Sequence, residues 1–211
     1  VADVNVNPDN PVIGKIERSF SANPEQVSEH ALAFLRGLQT ATVAGCIKHF
    51  PGHGSSRGDS HAGFTDVSDT WTEKELIPFR DIIASGDCHI VMTAHLFNRH
   101  IDAQFPATLS PVALGYLRND LHFDGVIISD DMQMGAIAQE FGFETAVRQG
   151  VIAGLDILLF GNNLNYDPEV AKKACATIRG LVDNGTIRPA RIEESYQRIM
   201  AVKTALGLRV K

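Results

Sequence analysis

Residues 48 to 63 read KHFPGHGSSRGDSHAG and gather Lys48, His49, His53, Arg57, Asp59 and His61, held apart by glycines at 52, 54, 58 and 63. Only Ser60 separates Asp59 from His61, so in an extended backbone both side chains point the same way. An aspartate beside a histidine fixes its tautomer and raises its basicity, which suits a general acid or base near neutral pH. The glycines let the loop fold back over a pocket and bring its backbone close to a ligand. A second group, Asp130 and Asp131 in ISDDM, directly follows an apolar run. Neighbours on a strand face opposite sides, so one of the two carboxylates faces a pocket; Asp130 is the choice, as nucleophile, general base or metal ligand. Both patterns also have an ordinary reading. Gly, Ser and His are common in solvated loops, and Ser-Asp-Asp after a strand often caps a helix, a role open to Asp131.

Five short runs rich in Val, Ile and Leu must position these groups: VADVNV at the start, ATVAGCIKHF (41 to 50), CHIVMTAHL (88 to 96), DGVIISDDM (124 to 132) and GLDILLFGNN (154 to 163). Each predicts a fully buried strand. Helix signals fall between them. Asn23 with Pro24 opens a helix whose buried stripe is Val27, Ala31, Leu35 and Leu38. Thr72 and Glu75 have the spacing of a capping box ahead of Leu76, Phe79 and Ile83. Ser110-Pro111 opens a helix with Leu114, Leu117 and Leu121 inside, a shorter one covers 144 to 154, and Asp167-Pro168 and Pro189 open two more. Repetition of strand, loop and helix with buried strands means parallel βαβ units in an α/β domain.

Polar residues choose between the parallel architectures. Asp3, Asn5 and Asn7, Lys48 and His49, Thr93 and His95, Ser129 to Asp131, and Asn162 and Asn163 all sit where a strand ends. A (β/α)8 barrel builds its site from several strands at that end, whereas a doubly wound sheet concentrates its ligand at one switch point, commonly behind a G-x-G-x-x-G fingerprint. No such fingerprint follows a strand here. The expected fold is therefore a TIM-type (β/α)8 barrel in one domain over 1 to 211, with five of its eight strands present.

Composition narrows the partners. The 211 residues are 44% apolar and carry a net charge of -6, with no run of Lys or Arg, so neither nucleic acid nor a membrane surface is expected as a partner. Cys46, Cys88 and Cys175 lie far apart and form no C-x-x-C pair, which suggests neither a disulfide framework nor a structural zinc site. No stretch has the length of a transmembrane helix and no signal peptide opens the chain; the cytoplasm is the favoured location, with secretion left open.

In order along the chain, DVNVNPDNPVIG, RSF, KHFPGHG with DSH four residues later, MTAH, PATLS and GVIISDDMQMGAI resemble glycoside hydrolase family 3 enzymes of the bacterial β-N-acetylhexosaminidase branch. The resemblance implies a retaining enzyme that removes terminal β-linked N-acetylglucosamine, from peptidoglycan or chitin-type fragments, with no metal or cofactor. It implies that Asp130 is the nucleophile, that His61 paired with Asp59 is the acid/base, that Lys48, His49 and Arg18 hold sugar hydroxyls, and that His95 lines the pocket. Three residues separate Gly14 from Arg18 where the family commonly has one, which displaces Arg18 from the family pattern. By the same resemblance the first run is the fourth barrel strand and the last the eighth, so three N-terminal βα units are absent and the open edges predict self-association. Two other readings stand beside the glycosidase. One is a metal-dependent hydrolase using His49, His53, Asp59, His61, His95 and Asp130; the other is a non-catalytic module that binds sugar or self-associates.

Overall fold

A computed structural model describes residues 1–57, 65–163 and 165–208. Five strands, β1 (Ala2–Asp3), β2 (Cys46–Phe50), β4 (Ile90–Thr93), β6 (Val126–Asp131) and β7 (Ile157–Leu159), form one parallel sheet in the order β1-β2-β4-β6-β7. Two short strands, β3 (Thr65–Asp66) and β5 (Leu96–Phe97), pair in parallel beside it. The order of the large sheet follows the chain without reversal. A doubly wound sheet reverses at its switch point, so this monotonic order is that of a (β/α) barrel wall.

The helices form where the local signals place them. Helix α1 (Pro24–Thr40) starts with the Asn23 side chain accepting the Gln26 N–H, and Val27, Ala31 and Leu35 on its inner face are fully buried. Ser110 caps α3 (Pro111–Gly115) in the same way through the Ala113 N–H, and a π turn over Tyr116–Asp120 carries the chain on. Helices α4 (Gly135–Phe141), α5 (Phe143–Ala153), α6 (Val170–Asp183) and α7 (Pro189–Ala205) complete the set with α2 (Ile77–Ala84). The main core lies between sheet and helices, where Ile47, Val91 and Ile127 meet Leu35, Phe79, Ile82, Leu114 and Leu117. Burying each such side chain contributes about 1.5–3 kcal/mol. A smaller cluster of Leu109, Met132, Ile137 and Ala146 packs at the ends of the last strands.

Three expectations need correction. The strands are shorter than their apolar runs, because residues at their C-terminal ends leave the ladder: the run 88 to 96 divides into β4 and β5, and the run 154 to 163 keeps only three strand residues. No capping box forms at Thr72, whose side chain makes no cap bond; a 3-10 turn over Glu73–Leu76 precedes α2, and the Glu75 carboxylate bonds to Gly54 and Ser55 instead. Asp131 does not cap α4, which follows Met134; its Oδ1 accepts the N–H groups of Gln133 and Gly161 and so ties the ends of β6 and β7 together. Among the described residues no helix is long and apolar enough to cross a membrane.

Candidate active site

The strand ends converge on Asp130. β2 slips register against β4 between Ile47 and Phe50, and β6 slips against β7 between Ile128 and Asp131. Such irregularities re-aim side chains at sheet ends, and here they fall on Lys48, His49 and Asp130. One carboxylate oxygen of Asp130 accepts the Asp131 N–H at 2.8 Å, and the other lies 3.5 Å from His49 Nε2. The far ring nitrogen of His49 lies 3.8 Å from Asp3 Oδ1, and Asp3 Oδ2 receives the Arg18 guanidinium at 2.6 Å. Arg18, Asp3, His49 and Asp130 thus form a line across the strand ends. The segment before Arg18 forms a 3-10 turn over Gly14–Ile16 with a left-handed Glu17, and Arg18 turns back to Asp3.

Burial controls the charges on this line. His49 is held well below the usual histidine range, first by burial and then by the positive fields of His53, Lys48, Arg18 and His95. It is therefore neutral at physiological pH and carries one ring proton, which it can offer to Asp3 or to Asp130 but not to both. Burial pushes the Asp3 carboxyl up to about 6 against the opposing pull of Arg18 and Lys48. Asp3 Oδ1, Asn5 Nδ2 and His49 Nδ1 are buried, with no hydrogen-bond partner among the described residues. Leaving such atoms unpaired costs about 1–3 kcal/mol each.

The turn after β2 is clamped from both sides. Asn10, fully buried, places its Nδ2 within 3.1 Å of the carbonyls of His53, Gly54 and Ser56, while its Oδ1 accepts the N–H groups of Val12 and Ile13. Asn7 also bonds the Gly54 carbonyl. From the other side the Glu75 carboxylate accepts the Gly54 N–H and the Ser55 hydroxyl, the Thr70 hydroxyl donates to the Ser55 carbonyl, and the Trp71 indole N–H donates to the Pro51 carbonyl. The His53 ring meets His49 edge-on at 5.5 Å.

Asp59 and His61 lie outside the described residues. Lys48 sits on β2 opposite Asp3 in register and is close enough to act on the charges of Asp3 and His49. His95 is buried at the end of β4, with Nδ1 2.9 Å from the Thr108 hydroxyl and Nε2 2.9 Å from the Asp131 carbonyl. A carbonyl only accepts, so Nε2 carries the proton, and the imidazole braces the backbone beside Asp130. Both nitrogens are engaged, which takes His95 out of any metal-ligand set in this arrangement. Among the described residues no group of three or more His, Cys, Asp or Glu is placed to hold a metal ion. Sequence reasoning passed over Asn10 and Glu75. The Asn-Pro pair in DNPVIG was a signal for the first; the second was visible only as a capping motif.

The match to known proteins settles the family. The description "Glycosyl hydrolase family 3 N terminal domain" fits residues 1–202. This chain belongs to glycosyl hydrolase family 3. Within family 3 it is similar to beta-hexosaminidase LpqI of Mycobacterium tuberculosis, 39% identical over 96% of the chain, and to a beta-hexosaminidase of Tolumonas auensis, 41% identical over 72% of it. A solved family 3 beta-N-acetylglucosaminidase from Paenibacillus sp. superimposes on the whole chain with a TM-score of 0.89 at 35% identity. The chain spans 52% of the length of LpqI, 46% of the Tolumonas protein and 40% of the Paenibacillus chain. The parallel sheet and its strand order agree with the barrel expected of family 3.

Proposed function

We propose that this family 3 barrel belongs to a retaining glycoside hydrolase that releases terminal β-linked N-acetylglucosamine from peptidoglycan or chitin-type fragments. One observation carries the reading: at the strand ends, Asp130 keeps one oxygen on backbone and leaves the other facing a neutral His49, beside buried polar atoms that have no partner among the described residues. The names of the relatives support the class of sugar.

In the first step an Asp130 oxygen attacks the anomeric carbon and the bond from that carbon to the leaving oxygen breaks. His61, in the role that the family pattern gives it, donates its proton to that oxygen, and Asp59 fixes its tautomer. In the second step His61 takes a proton from water, the hydroxide attacks the same carbon, and the ester to Asp130 opens with net retention. Most retaining glycosidases supply the proton from a second carboxyl group ~5–5.5 Å from the nucleophile. A histidine needs the neighbouring aspartate to set its acidity, which is why Asp59 belongs to the proposal. Lys48, His49 and Arg18 hold the sugar hydroxyls.

The test compares 4-nitrophenyl N-acetyl-β-D-glucosaminide with N,N′-diacetylchitobiose as substrates for the purified protein. General acid catalysis contributes about 10²–10⁴-fold, so His61→Ala is expected to lose that factor on the disaccharide and much less on the aryl glycoside, whose leaving group departs without help. Equal losses on both substrates would remove His61 from the acid role.

A further inference from the structure

Glu75 is 2% exposed, and among the described residues no cation is paired with it. Burying an unpaired carboxylate is expensive unless it is fully hydrogen-bonded. Its partners all belong to one turn: the Gly54 N–H at 2.6 Å, the Ser55 hydroxyl and the Ser55 N–H. The turn is shaped to receive it. A Cβ at Gly52, where φ is +118°, would lie 2.4 Å from the Glu75 Cβ, and one at Gly54 would lie 2.8 Å from Asn5 Oδ1 and 3.1 Å from Glu75 Oε2. With Asn7 and Asn10 on the Gly54 carbonyl, the Gly54 peptide is gripped at both ends. His53, one residue before it, bonds the Ser56 hydroxyl through Nδ1 at 2.7 Å and sets its ring against His49.

We propose that Glu75 is a positioning residue for the site: its carboxylate locks the turn from Gly52 to Ser56 so that His53 covers His49 and keeps that imidazole buried beside Asp130. Among the described residues, the groups that face His49 are Asp3 from β1, Arg18 from the loop before α1, Lys48 from β2 itself, His53 from the turn, His95 from the end of β4 and Asp130 from β6. Only His53 belongs to the turn that Glu75 holds. Loosening that turn admits water to His49 and moves one positive neighbour away, and both changes make the ring easier to protonate. In Glu75→Gln the side chain keeps its shape but offers one acceptor oxygen, and its amide N–H₂ meets donors of the turn.

The experiment is an NMR titration of the histidine rings of the 15N-labelled protein, with the His49 signal assigned by its loss in His49→Gln. This readout does not depend on catalysis. In the wild type the His49 ring stays neutral into the acidic range. In folded Glu75→Gln it is expected to bind its proton at least about tenfold more tightly, one unit on the pH axis. Ser55→Ala, which removes one of the donors on the carboxylate, shifts it in the same direction by less and serves as the second variant should Glu75→Gln fail to fold. An unchanged His49 titration in either folded variant would overturn the proposal. The kinetic consequence rests on the glycosidase reading: the acidic limb of kcat/KM moves to higher pH in Glu75→Gln. A wild-type protein without hydrolase activity defeats that reading alone, because the ring titration still decides the role of Glu75.

Discussion

Asp130→Asn is expected to lower kcat on 4-nitrophenyl N-acetyl-β-D-glucosaminide by on the order of 10⁴- to 10⁶-fold, the loss seen when a nucleophile is removed. The substitution is conservative in shape. An asparagine oxygen can still accept the Asp131 N–H that Asp130 Oδ1 accepts at 2.8 Å, so the end of β6 keeps its conformation. What disappears is the anionic oxygen that lies 3.5 Å from His49 Nε2. The neighbouring Asp131 directs its Oδ1 to two backbone N–H groups, on Gln133 and Gly161, and so serves the ends of β6 and β7. Azide should restore turnover to Asp130→Ala by entering the space the carboxylate leaves, and the product should be the α-glycosyl azide, formed by a single inversion. Turnover of Asp130→Asn within tenfold of wild type would place the nucleophile elsewhere.

The largest expected loss of stability lies at the opposite end of the strands. Asp156 precedes β7, and its side chain is fully buried. Arg118 reaches one of its oxygens at 2.6 Å; Arg198 at 3.0 Å and the Ser195 hydroxyl at 2.6 Å reach the other; Arg191 is 3.8 Å away. The Ile127 N–H also bonds to it, which ties β6 to the start of β7. Three guanidiniums thus share one carboxylate. Burial pulls Arg118 down to about 10 and also lowers Arg191, while the charge of Asp156 pushes both back up. Asp156→Asn removes that opposing charge and leaves the desolvation in place. Breaking a buried pair on one side costs about 3–5 kcal/mol, a large part of the ~5–15 kcal/mol that holds a domain folded. Chemical denaturation should show that loss, together with a fall in Tm of about 6 °C or more. A change under about 1 kcal/mol would mean that water, and not Asp156, solvates the three arginines.

The barrel was legible because its signals are local. A buried parallel strand leaves an uninterrupted apolar run, and Asn23-Pro24 and Ser110-Pro111 are complete helix starts within a few residues. The clustering of polar groups at strand ends singled out that end of the sheet, alternation let only one of Asp130 and Asp131 face a pocket, and the apolar run before Asp130 made it the choice. Bonds across the chain were not legible. Thr72 and Glu75 carry a capping spacing, yet the carboxylate goes to a turn twenty-one residues back. His95 sits where a pocket residue sits, but Thr108, thirteen residues on, claims one of its nitrogens and the Asp131 carbonyl the other. Asp156 was a single charge inside an apolar run, and its three arginines come from the π turn after α3 (Arg118) and from α7 (Arg191 and Arg198), thirty-five or more residues away. No short-range rule connects such residues.

The most direct test of the central claim is to trap the intermediate. The protein is incubated with a 5-fluoro analogue of N-acetylglucosaminyl fluoride, whose glycosyl-enzyme forms faster than it hydrolyses, and is then examined by intact mass and peptide digestion. The account predicts a mass gain of one fluorinated sugar, with the ester on Asp130. An adduct on another residue would contradict it, and so would steady turnover of the analogue and of 4-nitrophenyl N-acetyl-β-D-glucosaminide with no adduct at any time, since the sugar's own acetamido group would then be the nucleophile.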